Sequence, residues 1–304
     1  MHSVTRQQPH VSVVIPSYNS SAFIERCLTS VSQQKTTRPY EVIVVDSSDD
    51  DTSRVIAKRF PLVNLIRLKE RTFPGAARNR GIEEAAAPII AFTDSDCIVD
   101  DHWLDCALQA HDRGHDVVGG SIENARAGNL ISDAEYFLEF REFSSQSLAR
   151  EVRFVPSCNM SIRRAILDKI GTFPATRASE DVLFSYNLAK GGVKMFFAPS
   201  MRVAHLNRTR LAPFLKNQWL LGINFSVVRR LAPIRGWWLV RYPPLLFVAP
   251  FVRIVTTLRF ILSNRFPHNF RQLGGFVLSL PLFLAGLAAW TAGALKGSGA
   301  PKPN

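Results

Sequence analysis

The chain predicts an α/β fold, a mostly parallel and twisted sheet with helices on both faces, followed by membrane-associated helices. Three observations carry this. Short apolar runs at 11–15, 42–45, 63–68 and 89–93 alternate with helical periods at 22–33, around 52–59 and at 75–86, a βαβαβαβ order at short spacing. Two of the runs end in an acid, Asp46 and Asp94, and the carboxyl ends of strands in open α/β sheets are where ligands bind. All 25 acids fall at or before Asp181, whereas 16 of the 37 Lys and Arg follow it. That imbalance separates an acidic first part from a basic second part.

In order, the run 11–15 ends at Pro16, and Phe23, Cys27, Leu28 and Val31 share one face of the helix after it. Residues 47–52, SSDDDT, form a turn that can cap a helix through Arg59. The run 89–93 has the length and lack of charge of a strand buried on both faces, and it delivers Asp94-Ser95-Asp96 at its end. Two acids one residue apart repel unless a cation lies between them, and hard oxygen ligands suit Mg²⁺ or Mn²⁺. The triplet therefore predicts a metal-diphosphate site; taken alone it also fits a solvated acidic turn.

Residues 101–113 read as a helix, 117–120 as a strand with close backbone approach, and 129–143 as a helix. A further strand is expected at 154–155, a turn at 156–159, and a helix from Ile162 to Ile170 closed by Gly171. Ser179 is placed to cap a helix beginning at Glu180-Asp181, and 195–197 and 201–204 read as two short strands before His205.

A helix at 211–230 leads out of this part, so the expected division is 1–230 and 231–304. The stretch 237–262 is apolar but holds Arg241, Arg253 and Arg259, and a charge at a helix centre costs about 2.5–3.5 kcal/mol on insertion scales. With Pro243, Pro244 and Pro250 it predicts an interfacial segment. Residues 273–295 carry no charge and are long enough to span a hydrocarbon core of about 30 Å. Arg265 and Arg271 before that run predict a cytoplasmic start. A basic tail interleaved with aromatics favours a membrane over a nucleic acid. Residues 1–10 are polar and 11–15 is too short for the apolar core of a secretory signal, so the first domain is expected in the cytosol. Cys27, Cys97, Cys106 and Cys158 show no metal-ligand spacing and read as reduced thiols.

Seven segments in order now match one pattern: VSVVIPSYNSSAFIERCLTSVSQQ, EVIVVDSSDDDTS, GAARNRGIEEA, IIAFTDSDC, VPSCNMSIRRAILDKIGTF, SEDVLFSYNLAKGG and VAH. This resembles the family 2 glycosyltransferases of GT-A fold, over about the first two thirds of the chain. The resemblance implies that Pro16, Tyr18, Asn19 and Asp46 hold the nucleotide of a nucleotide-sugar donor, with UDP favoured, and that Arg78 and Asn79 lie near its phosphates or sugar. Asp94-Ser95-Asp96 resembles the family's DxD motif, in which the first Asp contacts ribose or sugar and the last binds the metal. His205 matches the histidine that can complete the metal shell. Glu180-Asp181 resembles the motif whose Asp takes the acceptor proton, with Glu180 beside the acceptor.

The processive synthases carry Q-x-x-R-W; here Gln218 and Trp219 are adjacent, which implies addition of one or a few sugars. The segment after Asp46 lacks the usual Gly. The expected activity is metal-dependent inverting sugar transfer at the cytoplasmic face of the cell membrane, onto a lipid-linked or envelope-glycan acceptor. The alternative is a catalytically inactive, membrane-bound sugar-nucleotide-binding partner. No G-x-G-x-x-G follows the first strand, which sets aside a dinucleotide oxidoreductase.

Overall fold

The computed structural model describes residues 8–176, 179–263 and 268–299. Two compact units divide the chain, Met1–Ser121 with Ala149–Val203, and Ile122–Leu148 with Ala204–Asn304.

The first unit is built on a sheet. Its opening strands are β1 (Val11–Ser17), β2 (Tyr40–Asp46), β3 (Asn64–Arg67) and β4 (Ile89–Thr93), joined by helices α1 (Ile24–Ser32), α2 (Thr52–Arg59) and α3 (Pro74–Glu84). β1 is parallel to both β2 and β4, and β2 to β3. Every residue of β1 and β4 is buried, as expected of β-branched runs covered on both faces. The register sets Ser17 against Asp46 and Val14 against Phe92, so the carboxyl ends of three strands share one rim. β1 continues through Pro16, where the run of apolar residues predicted an end. Its pairing with β4 stops at Val14, so one side of the strand needs no N–H there.

The remaining strands are β5 (Cys97–Val99), β6 (Val117–Asn124), β7 (Arg150–Val152), β8 (Asn159–Arg163) and β9 (Met195–His205). They make the sheet mixed, in the order β3-β2-β1-β4-β8-β6-β9-β5 with β7 on β9. β8 runs antiparallel to both β4 and β6. The expected strand at 154–155 and helix start at Ile162 are corrected here: 159–163 is a central strand, and the helix begins after it. Hydropathy hid β8 because two of its buried residues are polar. Asn159 is satisfied by the Trp103 Nε1–H (2.8 Å) and the carbonyls of Ser121 and Met201, and Ser161 Oγ lies 2.9 Å from His111 Nε2. The two short strands expected before His205 are one, β9, which carries Pro199 within it.

Helices α4 (Trp103–Asp112), α5 (Leu130–Glu139), α6 (Arg164–Ile170) and α7 (Glu180–Lys190) complete this part of the chain. Asn129 caps α5 by accepting from the Ser132 N–H at 3.1 Å, and Gly171 closes α6 at φ +99°. Asp50, within the expected capping turn, accepts from the Thr52 N–H at 3.0 Å. Ser179 makes no side-chain cap. It is left-handed at φ 59°, a costly conformation for a serine, directly before α7.

The second unit is helical: α5 and α8 (Leu211–Leu231) pack on α11 (His268–Ser298), which also meets α9 (Trp237–Arg241) and α10 (Ala249–Ser263). Phe137, Phe214, Phe276, Phe283 and Leu287 form its core. Gly222 of α8 has no room for a side chain, because a Cβ there would overlap the Trp290 carbonyl oxygen of α11. Small residues at such crossings let helices approach closely. Pro243–Ser263 and Phe270–Ser298, each of mean hydropathy 1.9, are long and apolar enough to cross a membrane.

Candidate active site

The rim of the first unit is organised by Asp46. Its carboxylate is buried and accepts from Ser48 Oγ at 2.5 Å and Ser53 Oγ at 2.8 Å. Ser48 Oγ in turn accepts from the Asn19 N–H at 2.7 Å, and Asn19 Oδ1 accepts from the Asp49 N–H at 3.1 Å. Asn19 holds φ 50°, a left-handed turn that asparagine tolerates better than most residues. The turn after β1 is thus locked to the turn after β2. Tyr18 stands partly exposed beside it with the Arg71 guanidinium stacked 4.4 Å from its ring centroid.

The Asp94-Ser95-Asp96 turn is held from three sides. Ser95 Oγ lies 2.7 Å from Ser20 Oγ, the Asp94 carbonyl accepts from Cys27 Sγ at 3.4 Å and from the Cys97 N–H at 3.0 Å, and the Asp94 carboxylate accepts from Arg78 Nη2 at 2.5 Å. Arg78, only 1% exposed, also donates through Nη1 to Glu180 at 2.7 Å. Burial disfavours its charge, but Asp94 and Glu180 outweigh burial and raise its pKa. Gly75 makes room for this: a Cβ there would come within 2.9 Å of Glu180 Cγ.

Asp181, next to Glu180 in the first turn of α7, accepts from the Val182 N–H at 2.8 Å and the Ser157 N–H at 3.4 Å. Burial pushes its carboxyl up to about 7, and Glu180 adds to the shift against the opposing pull of Arg78 and the two N–H groups. A carboxyl with that pKa exchanges a proton near neutral pH, which is what a general base needs.

His205, at the end of β9, belongs to the second unit. Its Nδ1 lies 2.6 Å from Asn207 Oδ1, while Asn207 Nδ2 donates to Asn124 Oδ1 and the Ser132 carbonyl. Asn207 therefore presents its oxygen, and the Nδ1–H of His205 donates to it, which orients the ring. Metal-binding histidines are oriented in this way. A carboxylate oxygen such as that of Asp96 suits Mn²⁺ or Mg²⁺. Phe140 packs against the ring, with centroids 4.8 Å apart.

The model of the glycosyl transferase family 2 domain matches residues 12–171, from β1 to the end of α6. The chain belongs to glycosyltransferase family 2. Among its relatives is the glycosyltransferase AglE of Haloferax volcanii, 30% identical over 256 residues, which cover 79% of this chain and 84% of that protein. The pre-mycofactocin glycosyltransferase of Mycobacterium tuberculosis is 28% identical over 70% of this chain, a match that spans 46% of that protein. Among solved structures, a mannosyltransferase from Pyrobaculum calidifontis, in complex with GDP-Man and Mn²⁺, matches 96% of this chain and 88% of its own. Its TM-score is 0.61 at 20% identity, which establishes a shared GT-A fold.

Within this glycosyltransferase, the first unit brings together most of the residues singled out in the sequence. Pro16, Tyr18, Asn19 and Asp46 meet through the two locked turns, and Ser20 ties them to Ser95. Arg78 joins Asp94 to Glu180, beside Asp181. Asn79 faces elsewhere: its side chain donates to the Phe173 carbonyl and accepts from the Phe173 N–H, both at 2.9 Å. Ser53, Ser20, Ser157 and Arg71 escaped the sequence reading, and Cys27 reads there only as a reduced thiol on a helix face. Ser53 falls in the first turn of α2 and could have been found as a partner for Asp46; Arg71 lies in a loop with no periodic signal.

Proposed function

We propose that this glycosyltransferase moves a sugar from a nucleotide-sugar donor to an acceptor hydroxyl with inversion, in a single displacement that depends on a divalent metal. The observation that carries the reading is Asp181: a half-buried carboxyl on two backbone N–H groups, pushed up to about 7, beside the Arg78 bridge to the DxD turn.

In this reading Tyr18 and the turn at Asn19 receive the base, and Asp46 acts through Ser48 and Ser53 to shape that pocket. Arg71, stacked on Tyr18, adds a cation for the donor diphosphate. Asp94 and Ser95 contact the donor's ribose or sugar, and Asn79 supports the loop at Phe173. Asp96 and His205 are the residues that would hold Mg²⁺ or Mn²⁺; when bound, the ion supplies Lewis-acid stabilisation of the departing diphosphate. Asp181 takes the proton of the acceptor hydroxyl as its oxygen bonds to the anomeric carbon and the bond from that carbon to the diphosphate breaks. Glu180, fixed by Arg78, positions α7 for this transfer.

The membrane-associated region 231–304 follows the glycosyltransferase domain 1–230 as a functional division, with 237–262 at the interface and 273–295 spanning. The site works at the cytoplasmic face of the cell membrane on a lipid-linked or cell-envelope glycan acceptor, and the apolar helices are the support for that acceptor class.

Titrating donor binding and transfer together tests the reading. Asp181→Asn should lose transfer while binding the nucleoside diphosphate as the parent does, and Asp96→Ala should bind it equally with and without Mn²⁺. Retained turnover in the first variant, or retained metal dependence in the second, refutes the assignment.

A further inference from the structure

We propose that the surface at 235–251 of the second unit docks on an anionic bilayer surface, reading lipid phosphate rather than merely entering lipid. The inference rests on the membrane attachment proposed above and adds the lipid charge it requires. Trp237, Trp238, Tyr242, Phe247 and Phe251 are exposed by 48%, 48%, 60%, 60% and 69%. Single exposed aromatics need no partner, but five within fifteen residues mark an interaction surface.

Their order along the chain matters. The tryptophans and Tyr242 come first, flanked by Arg235 and Arg241, and purely apolar Leu245, Phe247 and Val248 follow. Amphipathic rings settle at headgroup level and apolar side chains below it, so this order fits entry from water to headgroups to acyl chains. Pro243 and Pro244 open a short 3-10 helix between α9 and α10, which breaks a continuous spanning helix at that level.

The charges select the lipid. Arg235 and Arg241 are exposed, and among the described residues neither has an ion-pair partner. No acid follows Asp181 anywhere in the chain, so no nearby carboxylate of this segment can neutralise them. The loop that presents Arg235 is fixed rather than left to chance: Arg229 Nε donates to the Arg235 carbonyl at 2.8 Å, and its guanidinium lies 3.6 Å from the Phe225 ring centroid. Gly236, at φ +85°, makes the turn into α9. A guanidinium matches a phosphate with paired hydrogen bonds, and each arginine near an anionic surface strengthens attachment about fivefold.

The test uses the full chain, purified in detergent and reconstituted into nanodiscs of phosphatidylcholine alone or of phosphatidylcholine mixed with phosphatidylglycerol, each with brominated acyl chains. Quenching of Trp237 and Trp238, isolated by comparison with W237F/W238F, reports their depth. The expected result is stronger quenching in the anionic discs, fading as salt rises from about 0.1 M to about 1 M and the screening length shrinks from about 10 Å to about 3 Å. R235Q/R241Q should quench alike in both lipids while retaining the parent's donor binding in detergent. Equal quenching of the parent in the two lipids overturns the lipid-charge inference alone. A parent that enters neither disc overturns the membrane reading and this inference with it.

Discussion

Each unit holds an arginine among packed neighbours, Arg78 buried and Arg253 half-buried, and the two solutions differ. In the first unit Arg78 lies between two carboxylates, Asp94 and Glu180. In the second, Arg253 donates to the Leu138 carbonyl at 2.9 Å and stacks 5.1 Å from the Trp290 ring centroid. The first arrangement uses a buried charge to fix two acids at the candidate site. The second sets a half-buried charge against a carbonyl and a ring, which lets the apolar helix α10 carry Arg253. Charge in the first unit thus ties two carboxylates together, and in the second it is a local accommodation.

Replacing each arginine separates these roles. Arg78→Ala should have the largest effect, because it strands buried Glu180 and loosens Asp94. Breaking such a pair costs about 3–5 kcal/mol, so thermal unfolding should shift down sharply, and Arg78→Lys should restore charge but only part of the stability because it lacks the fork. An Arg78→Ala protein with the parent's stability would mean that the bridge is incidental. Arg253→Met should be close to neutral or mildly stabilising in detergent, since it removes a half-buried charge that has no ion-pair partner among the described residues. A loss comparable to that of Arg78→Ala would erase the distinction.

Much of this was legible in sequence because strands buried on both faces write themselves as apolar runs, and Asp46 and Asp94 punctuate their ends. The expected α/β class, the DxD turn and the first-turn acids of α7 follow from such local signals. What stayed hidden was non-local or polar. β8 has Asn159 and Ser161 at buried positions, satisfied by groups from distant elements. Arg78 meets Glu180 across 102 residues of sequence, a pairing that no period reveals. Asp46 reads as a free acceptor in sequence, yet its oxygens are taken by Ser48 and Ser53. The Leu138 carbonyl and Trp290 ring that receive Arg253 lie far from it along the chain, so these contacts leave no local signal.

A smaller effect is expected at Arg71. Its stacking on Tyr18 is at the surface, and such contacts contribute about 0.5–1 kcal/mol, so Arg71→Ala should raise the donor KM by about two- to fivefold with kcat unchanged. A fall in kcat at constant KM would move Arg71 from donor binding to a later step.

The pH dependence of kcat/KM for transfer tests the central claim most directly. A general base must be deprotonated, so activity rises with pH as Asp181 loses its proton, and its carboxyl in the free enzyme is pushed up to about 7. The account predicts an ascending limb centred near that value, present in the parent and absent from any residual activity of Asp181→Asn. A flat profile across neutral pH in the parent, or the same limb in the variant, would contradict it.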